Sequence, residues 1–107
     1  MTDGLVRAFN TEPRESVLEA WYRDTVRALG GRAYKFTAPG RRSVPDRLTL
    51  FPGKRVFFVE LKRQGKKLTP KQAIEHAFLR SLGFSVYTCD TKQKCVDVLV
   101  LEGVWRG

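Results

Sequence analysis

The sequence predicts an α/β fold, a small mixed β-sheet flanked by helices. Three observations carry that prediction. Apolar residues recur at helical spacing in two well-separated stretches, and alternating apolar residues mark strands between and after them. A helix also stands between the third and fourth strands, and such a crossover makes the two strands parallel, with a right-handed connection. At 107 residues the chain is long enough for one domain, 1–107, with a modest core.

The elements follow in order. Residues 1–10 show no clear period and are expected to form a loose arm. From about 12 to 29, Leu18, Trp21, Tyr22, Val26 and Leu29 recur at helical spacing, Pro13 suits a first turn, and Gly30-Gly31 ends the segment. Arg32 to Thr37 alternates as a strand, and Ala38 to Val44 (APGRRSV) is a Pro/Gly/Arg loop. A hairpin is expected over 46–62, followed by a polar turn at Gln64 to Lys67. Thr69-Pro70-Lys71-Gln72 then opens a second helix as N-cap, first turn and reciprocal cap partner. Its inward face is expected to hold Ala73, Ile74, Ala77, Phe78 and Leu82, with Gly83 as the stop. Phe84 to Asp90 is a fourth strand. Lys92 to Leu101 suits a short final helix, although VDVLVL suits a strand equally well.

The hairpin carries the chemistry. Its sequence is VPDRLTLFPGKRVFFVELK, with a Pro-Gly turn at its centre. A three-residue loop, Pro52-Gly53-Lys54, sets Phe51 opposite Arg55 and brings Asp46 opposite Glu60. Directly opposed residues have Cβ atoms roughly 4.5–5.5 Å apart, so the two carboxylates can reach one ion. Lys62 shares their face, as do Leu48, Leu50, Val56 and Phe58 nearer the turn. A two-residue loop would instead set Asp46 opposite Val59. Like charges facing each other destabilise a sheet unless something compensates, and a divalent cation does so. Asp46 and Glu60 as hard oxygen ligands for Mg²⁺ or Mn²⁺, with Lys62 beside them, have the logic of metal-assisted phosphodiester hydrolysis. Lys62 would position the attacking water or stabilise charge developing on the phosphate.

Charge supports such a substrate. Twenty Lys+Arg against eleven Asp+Glu give a net +9 and a pI near 10.1, a balance suited to a polyanionic partner. The basic residues cluster at Arg41-Arg42, Arg47, Lys54-Arg55 and Lys62-Arg63-Lys66-Lys67-Lys71, bracketing the two carboxylates. Expected DNA contacts are Lys35, Arg41, Arg42, Arg47, Arg63, Lys66, Lys67 and Lys71, with Gly40-Arg41-Arg42-Ser43 as a backbone-contacting loop or mobile flap. No run approaches the roughly 18 apolar residues of a membrane span. MTDGLVRAFN lacks the apolar stretch of a secretory signal, so no membrane association and a cytoplasmic location are expected. Cys89 and Cys95 make no metal-ligand cluster with His76 and are expected as reduced thiols. His76 is expected to be a solvated or packed histidine, not a general base. Trp21, Tyr22 and Phe78 suit a core or a dimer interface better than base stacking.

VPDRLTLFPGKRVFFVELK followed by KLTPKQ resembles the VRR-NUC branch of the PD-(D/E)xK nuclease superfamily. The resemblance runs from the first helix through GGRAYKFTAPGRRSVPD to LGFSVYTCD, about 80 residues. It implies a restriction-endonuclease-like α-β-β-β-α-β core and a divalent-metal DNA endonuclease, with Asp46 and Glu60 as ligands and Lys62 as the catalytic lysine. It also implies a short phage or prophage protein, similar to Holliday-junction resolvases, that dimerises and cleaves branched or four-way-junction DNA. The family places a further glutamate of the first helix at the metal. Glu15 and Glu19 both qualify, one turn apart, and Glu15 matches the family's spacing to Leu18 and Tyr22 better. Ser16-x-x-Glu19 is also a capping-box pattern, which the Pro13 position weakens. Gln72 is placed by the resemblance near the active site, alongside its local capping role. The rival function is a non-catalytic basic DNA-binding module on the same scaffold, and an RNA-directed nuclease is a third.

Overall fold

The computed structural model describes residues 14–105, so the expected arm over 1–10 and Pro13 lie outside the described residues. The elements are α1 (Glu15–Ala28), β1 (Arg32–Lys35), β2 (Arg47–Phe51), β3 (Arg55–Leu61), α2 (Pro70–Ser81), β4 (Ser85–Cys89) and α3 (Lys92–Leu101). The four strands form one sheet in the order β1-β2-β3-β4. The first three run antiparallel, and the crossover through α2 makes β3 and β4 parallel. This is the expected mixed sheet.

The hairpin takes the three-residue loop. Phe51 pairs with Arg55 and Arg47 with Val59, and the turn places Gly53 and Lys54 both at positive φ. Glycine does so without steric penalty. Just before β1, beside this turn, a glycine is needed for space. A Cβ on Gly31 would stand 2.6 Å from the Leu50 carbonyl oxygen and 2.7 Å from the Phe51 ring. The C-terminal ambiguity resolves as a helix, because the Thr91 side chain accepts the Lys94 N–H and caps it.

Alternation divides the sheet into two unlike faces. On one, Phe51, Phe57, Val59 and Leu61 pack against Leu18, Tyr22 and Val26 of α1 and Cys95, Val98 and Leu99 of α3. Leu18, Tyr22 and Val26 recur every four residues and make the buried stripe of α1. Tyr22 shares a buried 2.7 Å hydrogen bond with Thr49, which satisfies both hydroxyls in the core. Cys89 and Cys95 are buried in this layer and form no disulfide. The other face carries a smaller cluster of Phe58, Leu79 and Val86, with Phe36 and Leu48 beside it.

Helix α2 covers that second face, turned away from its expected orientation. Ala73, Ile74, Ala77, Phe78 and Leu82 are exposed, while Glu75, His76 and Leu79 are buried. The physical reason lies at the first turn. Gln72 is tied to Glu60 of β3, and the residues sharing its helical face, three, four and seven positions on, are Glu75, His76 and Leu79. The apolar stripe is left outside.

Candidate active site

Asp46 and Glu60 meet where β2 begins and β3 ends, at the end of the hairpin away from its turn. Asp46 sits just before β2 and stays in place because its Oδ2 accepts the Leu61 backbone N–H at 2.9 Å. Glu60 faces the α2 side of the sheet and is only 2% exposed. Burial raises its pKa to about 7, and the neighbouring Asp46 charge adds to that shift while Lys62 opposes it. Lys62 Nζ lies 3.6 Å from Glu60 Oε2. The strand hands Lys62 to this position by alternation, and its backbone N–H bonds the Cys89 carbonyl at 2.8 Å.

The first turn of α2 closes the site from above. The Thr69 side chain accepts the Gln72 N–H, and the Gln72 side chain accepts the Thr69 N–H, completing a capping box. The amide nitrogen of the same Gln72 donates to Glu60 Oε2 at 3.2 Å. Both roles foreseen for Gln72 therefore coexist in one side chain, its oxygen serving the helix and its nitrogen the carboxylate. One turn on, His76 is fully buried with Nε2 4.0 Å from Glu60 Oε1. Burial, then the nearby Arg80 and Lys62 charges, hold its pKa below the usual histidine range. Sequence reasoning left His76 out of the site. Its spacing of four from Gln72 was the available signal, since it puts both on one helical face.

The two glutamates of α1 part ways. Arg14 is the N-cap residue and makes no side-chain cap bond, so the helix starts ahead of Ser16 and the Ser16–Glu19 box does not form its start. Glu19 instead pairs with Arg47 at 2.9 Å. Glu15, on the first turn, lines a depression of about 400 Å³ with Arg14, Ser16, Arg63 and Lys66. Among the described residues no three His, Cys, Asp or Glu side chains stand together as a ready metal-ligand group, so the acidic centre is the Asp46–Glu60 pair.

The basic residues also divide. Arg47 corrects the expectation of a DNA contact. It points to the core face, is 9% exposed, pairs with Glu19 and donates to the Ala33 carbonyl at 3.0 Å. Its neighbour Asp46 faces the site, and one step along a strand reverses the face. Lys35, Arg41, Arg42, Arg63, Lys66, Lys67 and Lys71 are exposed. Gly40, Arg41, Arg42 and Ser43 form one wall of a cleft of about 630 Å³, and Thr69, Lys71 and Gln72 form the other. Gln72 connects this cleft to Glu60. Arg41 spans it, pairing with Glu75 at 2.9 Å, so the loop is latched to α2. On the far side, Asp90 accepts the Gly65 N–H at 2.9 Å and ties the Lys66-Lys67 loop to the end of β4.

Comparisons with known proteins agree with this architecture. The "Putative nuclease p44" of Acyrthosiphon pisum secondary endosymbiont phage 1 is 48% identical over 79 residues, 74% of this chain and 85% of that protein. A solved structure described as "VRR_NUC domain" superposes with a TM-score of 0.74 at 30% identity, covering 81% of this chain and 94% of that one. No family model matches the chain.

Proposed function

The chain belongs to the VRR-NUC family of nucleases, and we propose that it is a divalent-metal-dependent endonuclease that hydrolyses phosphodiester bonds of branched DNA. The observation that carries this reading is the pairing of a buried Glu60 with a half-buried Asp46, with Lys62 beside them and exposed basic residues around. Two adjacent carboxyls, one driven toward its neutral form by burial and its neighbour, are poorly matched unless a cation joins them. Glu60 Oε1 is buried with no hydrogen-bond partner among the described residues, which suits a ligand atom awaiting its ion. Asp46 and Glu60 fit as hard oxygen donors for Mg²⁺ or Mn²⁺. We assign the third acidic position to Glu15, because Glu19 is held by Arg47.

Bound there, the ion would polarise the scissile phosphate and lower the pKa of a water. The chain's own residues do the remainder. Lys62 places an ammonium where negative charge grows on the phosphate oxygens. Gln72 fixes the Glu60 carboxylate through its amide and fixes α2 through its cap. Arg41, Arg42 and Lys71 on the cleft, and Arg63, Lys66 and Lys67 on the opposite rim, hold the DNA backbone on either side. Lys35, expected among the DNA contacts, pairs with Arg47 at the end of β1 and shares its face, away from the carboxylates, so it is left out of this rim.

A homodimer is part of the proposal. Ile74, Phe78 and Leu82, at 71%, 56% and 56% exposed, make an apolar row along the outer side of α2, the helix that covers the site. A second copy covering this row would set two sites near each other, as cutting a four-way junction on both strands requires. No helix among the described residues is long and apolar enough to cross a membrane, and action in the cytoplasm of a phage-infected or prophage-carrying host is proposed with the substrate.

The test is a cleavage panel with and without Mn²⁺ on a four-way junction, a flap, and linear single- and double-stranded DNA. We expect metal-dependent cutting, greatest on the branched substrates. Asp46→Ala, Glu60→Ala and Lys62→Ala should each lower the rate by roughly a hundred- to a thousandfold or more. Salt-sensitive binding with no metal-dependent product would favour the binding module instead.

A further inference from the structure

We propose that His76 is a positioning residue that holds the Oε1 side of the Glu60 carboxylate. The inference rests on the carboxylate-site reading above, and it begins from an asymmetry around Glu60. Gln72 and Lys62 both approach Oε2, at 3.2 and 3.6 Å. Oε1 faces His76 Nε2 at 4.0 Å. Glu60 Oε1 and both ring nitrogens of His76 are buried without a hydrogen-bond partner among the described residues.

Leaving such groups unpaired in the interior is destabilising. A leucine would fill the same space between α2 and the sheet without that cost, so packing alone does not explain an imidazole here. With the proton on Nε2, a small rotation of either side chain brings the N–H onto Oε1. Glu60 is then gripped at both oxygens from one helical face, by Gln72 and, four residues on, by His76. The two grips differ in kind, since Gln72 is anchored by the capping box and His76 by complete burial. Between them Glu75 is latched to Arg41, which ties this helical face to the basic loop as well. A carboxylate held this way keeps one orientation before any ligand arrives, and outer groups of this sort tune a ligand's geometry and basicity.

His76 is the chain's one histidine, so its imidazole signals are unambiguous. Nitrogen-15 NMR of the metal-free protein should show a neutral ring protonated at Nε2. A ring protonated at Nδ1 alone overturns the proposal. In a Mn²⁺ titration, His76→Leu should remain folded, with unchanged or higher Tm, and bind Mn²⁺ about tenfold more weakly. Its kcat should fall with little change in KM for DNA. His76→Gln, which keeps a donor, should recover most of the affinity. Wild-type Mn²⁺ binding by the leucine variant, or its failure to fold, would show the ring to be a packing element and end the idea. A wild-type protein that binds no Mn²⁺ sinks the metal reading instead. The NMR signal, recorded without metal, still decides whether Nε2 serves Glu60.

Discussion

The two faces of the sheet are built to different standards. The face under α1 and α3 carries the larger apolar core, with Leu18, Tyr22, Val26, Phe57, Val59, Leu61 and Leu99 fully buried, and its polar side chains include the hydrogen-bonded Tyr22–Thr49 pair and the Arg47–Glu19 ion pair. The face under α2 has a small apolar cluster and, at its end, a buried glutamate and a buried histidine whose polar atoms lack hydrogen-bond partners among the described residues. The first face supplies most of the apolar burial, while the second leaves a buried carboxyl and a buried imidazole short of partners among the described residues. The proposed site lies on the face with the smaller apolar cluster, as expected where a site needs perturbed electrostatics.

The contrast can be broken most forcefully from the core side. Phe57→Ala empties the centre of the well-packed face and should cost about 3–5 kcal/mol in denaturant unfolding. Leu48→Ala, on the half-buried second face, should cost clearly less. Equal losses would mean that the two faces carry the fold alike.

The next effect is electrostatic and has a sign. The folded-state pKa of Glu60 is raised to about 7 from 4.5, so folding favours its protonated form. That contribution is fully present below the unfolded-state pKa and is lost as pH rises through the folded value. In chelator, Tm should therefore fall between about pH 5 and about pH 8, by an amount equivalent to at most about 3 kcal/mol. Glu60→Gln should flatten this dependence while abolishing cleavage. Mn²⁺ should restore wild-type Tm at the alkaline end, since it binds the ionised carboxylates. A metal-free Tm that rises over the same interval in wild type and variant alike would contradict the assigned electrostatics.

The smallest effect concerns the exterior of α2. Phe78→Ser should change monomer stability by no more than about 0.5 kcal/mol, as for an ordinary surface site. It should shift the protein toward monomer in analytical ultracentrifugation and weaken junction cleavage more than binding. An unchanged oligomeric state would remove this row from the dimer surface.

How much of this was legible in the chain depended on whether short-range geometry decided it. Hairpin register was legible because side chains alternate strictly and a three-residue turn leaves one pairing. Thus Asp46, Glu60 and Lys62 came together as expected, and Gln72 took its cap through contacts three residues apart. The rotation of α2 was not legible. Its sequence offers two overlapping stripes, apolar Ala73-Ile74-Ala77-Phe78 and polar Gln72-Glu75-His76-Leu79, and hydrophobic periodicity favours the first. Arg47 was misplaced for a related reason, because a basic residue beside a site suggests a phosphate contact until a half-buried Glu19 claims it.

By itself, then, the sequence determined the mixed sheet, the carboxylate pair and the adjacent lysine, all consequences of period-two alternation and one turn. Only the tertiary structure decided which face of α2 looks inward, which glutamate of α1 stays clear of Arg47, and that His76 stands over Glu60. Those outcomes depend on contacts between residues distant in the chain, such as the bond from Gln72 to Glu60 and the pair from Glu19 to Arg47, which no local pattern encodes.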